Sequence, residues 1–89
     1  MRITGVLWDD DNVAQIAEHG LSMDDVESVL LNPQAKRGVS KSSGRRLRFG
    51  HTLDGTFIAV AFDVLDPEEG LVYPVTANEV QEPRSRRRP

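Results

Sequence analysis

The stretch Arg46-Leu47-Arg48-Phe49-Gly50-His51-Thr52-Leu53-Asp54-Gly55-Thr56-Phe57-Ile58-Ala59-Val60-Ala61-Phe62 decides how the fold is read. Its first arm alternates with period two, placing Leu47, Phe49 and His51 on one face and Arg46, Arg48 and Thr52 on the other, the pattern of a half-buried strand. Its second arm is apolar from Phe57 through Phe62, as suits a strand covered on at least part of both faces. Asp54-Gly55 lies between them, a favoured pair for a type I′ turn, in which both central residues need positive φ. The stretch reads as an antiparallel hairpin whose second arm, Thr56 to Val64, is the core strand.

Upstream, Asn32-Pro33 marks a stop, since proline disfavours helical geometry in the residue before it and donates no backbone hydrogen bond. Before that stop, Met23, Val26, Val29 and Leu30 recur at helical spacing behind Ser22-Met23-Asp24-Asp25, a capping box with Asp in the usual Glu place. A helix ending near Leu31 follows from this. A shorter one precedes it: Asp9-Asp10-Asp11-Asn12 offers N-caps, Val13, Ile16 and Ala17 fall at i, i+3, i+4, and His19-Gly20 suits the C-terminal end. Arg2 to Trp8, with its β-branched and apolar residues, reads as a short first strand.

Downstream, Asp66-Pro67-Glu68-Glu69-Gly70 forms a polar loop before Leu71 to Ala77, a strand in which Pro74 lacks a donor and requires an edge or a bulge. Residues 35 to 40 supply a candidate edge strand, and Ser40-Lys41-Ser42-Ser43-Gly44 a loop. The expectation is one α+β domain over residues 1–80, with two short N-terminal helices packed on a small antiparallel sheet of three to four strands. Residues 81–89, which hold two prolines and four arginines, are expected to be a disordered tail.

Composition bounds the function. The 89 residues include no cysteine, which excludes disulfides, thiolate metal sites and a cysteine nucleophile. The longest apolar run, Phe57 to Phe62, is far short of the roughly 20 residues of a membrane helix, and Met1-Arg2-Ile3-Thr4 lacks the features of a signal peptide. No membrane association and a cytoplasmic location are therefore expected. The net charge of −3 hides a block pattern: residues 34–52 carry six bases and no acid, while 1–33 and 53–82 carry seven acids each. Such a block can attract a polyanion or an acidic protein even on an acidic molecule, because screening confines each field to about 8–10 Å.

Trp8-Asp9-Asp10-Asp11-Asn12, then Ala17-Glu18-His19-Gly20-Leu21-Ser22, then Asp25-Val26-Glu27-Ser28-Val29-Leu30, resemble in order three motifs of the BrnT-like toxin family. Arg45 to Thr52, Asp54-Gly55 and Val75-Thr76-Ala77 are similar to its later pieces, so the likeness covers most of residues 7–79. The resemblance implies a RelE-like fold, ribonuclease activity that blocks translation, and a DNA-binding antitoxin as partner. The chain departs from the family pattern at Thr56, where Arg or Lys is usual, and at Asn78-Glu79, where Arg is usual. It also lacks the basic C-terminal helix, for which Arg84 to Pro89 is too short.

Metal-independent RNA cleavage requires a base for the 2′-OH proton, cations for the developing charge and a proton donor for the leaving oxygen. Arg46 and Arg48 are the candidate cations, on one face of a strand and about 6.6 Å apart, close to the spacing of successive phosphates. Alternatively they solubilise the open face of an antiparallel sheet. Lys36, Arg37, Lys41 and Arg45 complete the block as candidate RNA- or antitoxin-binding residues. If all six touched phosphates, log affinity against log salt would slope about −4 to −5.

His51 is the candidate acid–base group, since imidazole titrates near neutrality. Alternation places it opposite Arg46 and Arg48 unless a bulge at Gly50 swings it round, and otherwise it is a packed or surface histidine. His19 reads as a helix cap. Tyr73 is a reserve proton donor or a packing residue. The acidic run at residues 9–11 reads as caps, and with no histidine at ligand spacing neither a metal nor another cofactor is expected. Two functions follow, a ribonuclease toxin or a non-catalytic protein- or RNA-binding module of the same fold.

Overall fold

The computed structural model describes residues 1–83; the arginine-rich end of the expected tail lies outside them. Two capping boxes start the helices. Asp9 accepts from the Asn12 amide and the Asn12 side chain accepts from the Asp9 amide, opening α1 (Asp10–Ala17). Ser22 and Asp25 do the same for α2 (Met23–Leu30). Each box satisfies donors that a helix start otherwise leaves unbonded. In α2 the expected stripe is buried at Val26, Val29 and Leu30, while Met23 stays exposed. In α1 the expected Val13, Ile16 and Ala17 stripe is replaced: Ile16 and Asn12 are buried, Val13 is half-buried and Ala17 is exposed. An eight-residue helix laid against one strand can bury only the narrow face that looks at it.

Five strands form one sheet: β1 (Gly5–Val6), β2 (Lys36–Val39), β3 (Arg46–His51), β4 (Phe57–Asp66) and β5 (Leu71–Glu79), in the order β1-β5-β4-β3-β2. The fold is α+β, as expected, but the sheet is mixed and larger than an antiparallel one of three to four strands. β1 runs parallel to β5, held by the Thr4 amide on the Gly70 carbonyl and the Leu7 amide on the Val72 carbonyl. A strand of two residues has no period to detect, so pairing alone reveals it. Pro74 sits where the β4–β5 register shifts between Ala61 and Phe62, a bulge that spares its missing donor.

The β3–β4 hairpin stands where expected, but its turn is not type I′. Gly55 alone among the loop residues has positive φ, at 91°. The connection is the three residues Leu53, Asp54 and Gly55, closed by the Thr52 amide on the Thr56 carbonyl and the Gly55 amide on the Thr52 carbonyl. Asp54 keeps an ordinary φ because its carboxylate is committed locally, accepting from the Thr52 hydroxyl and from the Thr56 amide and hydroxyl.

Ile58, Val60 and Phe62 of β4 pack with Ile16, Val26, Val29, Leu30, Val72 and Ala77 in the core. Residues paired across antiparallel strands share a face. Gly50, Arg48 and Arg46 pair with Ile58, Val60 and Phe62, so the arginine face of β3 looks toward the helices. Gly50 fits this, since a Cβ there would meet Val29 of α2 at 3.4 Å. Leu47, Phe49 and His51 therefore lie on the face opposite α2, and the reading of the arginines as the open, solubilising face does not hold for Arg48. No helix among the described residues is long and apolar enough to cross a membrane.

Gly70 pins the seam between β1 and β5. It has φ of 73°, and a Cβ there would lie 2.2 Å from the Arg2 carbonyl oxygen. Gly70→Ala combines a disfavoured backbone with a backbone clash, and a loss of at least about 2 kcal/mol is expected in chemical denaturation.

Candidate anion site

Arg48 is the one charged residue buried among those described, 9% exposed. Its guanidinium lies 5.2 Å from the centroid of the Phe62 ring, a contact that offsets part of the desolvation. No hydrogen bond or ion pair to a described residue engages it. Among the described residues no buried side-chain nitrogen or oxygen lacks a partner, so the unbonded guanidinium nitrogens are the part of Arg48 that still reaches solvent. Burial first, then the charges of Arg37 and Arg46, lower the Arg48 pKa. Arg37 is its cross-strand partner, and like charges directly opposite repel. The fold therefore holds three arginines as neighbours, one of them buried along its stem, with no ion pair to a described carboxylate at Arg48.

The cluster opens into a cleft of about 310 Å³ lined by Arg2, Arg37 and Arg48, together with Ile3, the end of α2 and the turn through Pro33. No carboxylate lines it. Arg46 is on the same face but exposed, in a neighbouring depression beside Phe62 and Asp63. The rest of the basic block is dispersed. Arg45 pairs with Asp63, Nε to Oδ1 3.1 Å. Lys36 pairs in register with Phe49 on the other face, and Lys41 is exposed in the β2–β3 loop. Of six bases in one sequence block, two line the cleft and a third, Arg46, lies beside it on the same face.

The candidate acid–base groups are not among them. β3 keeps an unbroken register from Arg46 to His51, so no bulge turns His51 toward the arginines. Its Nε2 lies 2.8 Å from Glu82 Oε1, and its ring is tilted on Phe57 at 5.0 Å. Tyr73 donates to the Asp9 carboxylate at 3.0 Å, two strands away from the cleft. His19 is exposed beside Gly20. No group of three or more metal-ligating side chains occurs among the described residues.

Sequence reasoning missed two residues. Arg2 joins the cleft from outside the basic block, and no linear signal could place it there before β1 was paired. Asn12 was legible only as a cap, yet its Nδ2 also donates to the Leu7 and Pro74 carbonyls at 3.0 Å each. Trp8, from the same motif, donates to Glu27 of α2 at 2.7 Å. Trp8, Asp9 and Asn12 thus join β1, α1, α2 and β5, a structural role for the most specific part of the motif.

The Tyr73–Asp9 contact has a pH signature. The Asn12 amide, more than Tyr73, holds Asp9 below the usual carboxylate range, and Asp54 is held low by the Thr52 and Thr56 donors. Tyr73 is raised, by desolvation and by the Asp9 carboxylate. Depressed acids contribute stability that is present above about pH 4 and lost as pH falls through their folded values; a raised tyrosine contributes stability that is present below about pH 10 and lost as pH rises further. Thermal melts should show both limbs, and Tyr73→Phe should flatten the alkaline one.

Comparison of the chain with protein-family models, with curated proteins and with solved structures gives no match.

Proposed function

We propose that the chain is a RelE-like domain of the BrnT type that binds RNA phosphates through Arg37, Arg46 and Arg48 and does not itself supply the acid–base groups for cleavage. The observation that carries this is Arg48, a residue buried along its stem whose guanidinium meets the cleft with like-charged neighbours and no anion among the described residues. The order of two capped helices followed by a β-hairpin sheet supports the fold implied by the resemblance. RNA is the polyanion that the same resemblance implies.

Cleavage is the second reading, favoured by the Arg46 and Arg48 pair at i, i+2 on one face. Against it stand His51 and Tyr73, which face elsewhere, and the two departures from the family pattern. Thr56, where a cation is usual, is committed to the Asp54 turn, and Asn78-Glu79 brings a negative charge where Arg is usual. The antitoxin partner belongs to this proposal and rests on the resemblance; the cytoplasmic setting belongs to it as well and rests on the composition, which holds no cysteine.

The test is a labelled single-stranded RNA in chelator, followed by anisotropy for binding and by gel for cleavage, with wild type beside Arg46→Ala/Arg48→Met. Binding without cleavage is expected, with a log–log salt slope of about −2, three phosphates at about 0.7 each. Site-specific cleavage lost in the variant would establish the nuclease instead. Absence of RNA binding even at low salt would overturn the proposal.

A further inference from the structure

We propose that the cleft at Arg48 takes the terminal phosphomonoester of an RNA chain rather than an internal phosphodiester, a deepening that rests on the RNA reading above. Charge is the first reason. Arg2, Arg37 and Arg48 line the cleft with no carboxylate among them, a surplus suited to a phosphomonoester, which carries about −1.5 to −2 at neutral pH where a diester carries one charge. The carbonyl end of α2 at the rim opposes this with only about half a charge.

Access is the second reason. Arg48 is nine-tenths buried, so a phosphate must enter the cleft to reach its free N–H groups. An internal phosphate enters with chain on both sides, and Ile3, Leu30, Leu31 and Pro33 wall the space that the chain would need. About 310 Å³ is at the lower limit of small-ligand sites, the scale of one nucleotide end. A guanidinium fork matches the oxygens of such an end group. The chain then has a path outward, because Arg46, two residues before Arg48, projects from the same face of β3 and is exposed, about 6.6 Å along the strand and within reach of the next phosphate.

The test compares one short single-stranded oligoribonucleotide in three forms: 5′-phosphorylated, 3′-phosphorylated, and hydroxyl at both ends. One phosphorylated form is expected to bind about tenfold or more tightly than the hydroxyl form, a preference abolished in Arg48→Met and in Arg37→Ala and retained, on weaker overall binding, in Arg46→Ala. Inorganic phosphate and a nucleoside monophosphate serve as competitors. Displacement by inorganic phosphate at concentrations matching the phosphorylated RNA would assign the cleft to free phosphate and overturn the proposal. Equal binding of all three forms would overturn it and leave the RNA reading standing. No binding of any form would overturn both.

Discussion

Asn12→Ala is expected to lower unfolding free energy by about 2–3 kcal/mol, the largest stability loss from a single polar residue in this fold. Asn12 is 2% exposed, and its amide is fully used. Oδ1 accepts from the Asp9 amide, and Nδ2 donates to the Leu7 and Pro74 carbonyls. Alanine leaves the Pro74 carbonyl without a donor in a dry setting, at about 1–3 kcal/mol, while the part-exposed Leu7 carbonyl and Asp9 amide recover some hydration. At roughly 4–8 °C per kcal/mol for a domain of this size, the midpoint should fall by about 8–24 °C in a melt followed by circular dichroism. Asn12→Asp should be no better, since it sets acceptors against both carbonyls. A loss under about 1 kcal/mol would mean that water replaces the amide without cost.

Arg48→Met should act in the opposite sense on stability while removing function. The methionine keeps an unbranched apolar stem against Phe62 and Val60 and deletes the charge that repels Arg37 and Arg46. Replacing a partly desolvated charge flanked by like charges with an apolar side chain of similar length is expected to be neutral to mildly stabilising, by up to about 1 kcal/mol. RNA affinity should fall by about tenfold to a hundredfold, the range for losing a charge-assisted contact of about 1.5–3 kcal/mol. Anisotropy and a denaturant titration on one preparation check both halves. Arg48→Ala separates packing from charge, since it removes the stem as well and should destabilise. An Arg48→Met protein that is less stable and binds RNA undiminished would show that the guanidinium serves the core.

The helices were legible because their signals are local. A cap and a stripe at helical spacing are complete within eight residues: the box at Ser22 and Asp25 occurs where the sequence places it, and the N-cap expected among residues 9–12 is Asp9, in a second box with Asn12. The hairpin was legible for the same reason, but its turn type was not, because the hydrogen bonds from Thr52 and Thr56 decide the backbone of Asp54 and those depend on the strands already being paired. Alternation in β3 separated Arg46 and Arg48 from Leu47, Phe49 and His51 correctly. It could not say which set faces inward, since a period of two is symmetric and β4, apolar on both faces, breaks no tie. That assignment comes from α2, whose Val29 lies over Gly50. The candidate site was thus legible as a basic strand and illegible as a cleft, because the cleft needs Arg2, brought in by a two-residue strand.

The parallel seam between Gly5–Val6 and Leu71–Val72 has a consequence for how the chain is made. A ribosome that has synthesised both helices has made nothing for Ile16, Val26 and Val29 to rest on, since Ile58, Val60, Phe62 and Val72 come later. The nascent chain stays open through most of its synthesis, and the contact that spans the longest loop closes after the local ones. A product ended prematurely before Leu71 leaves Gly5 and Val6 without a partner and Arg2 unplaced. Such a fragment carries the whole basic block of residues 34–52 and still cannot assemble the three-arginine cleft.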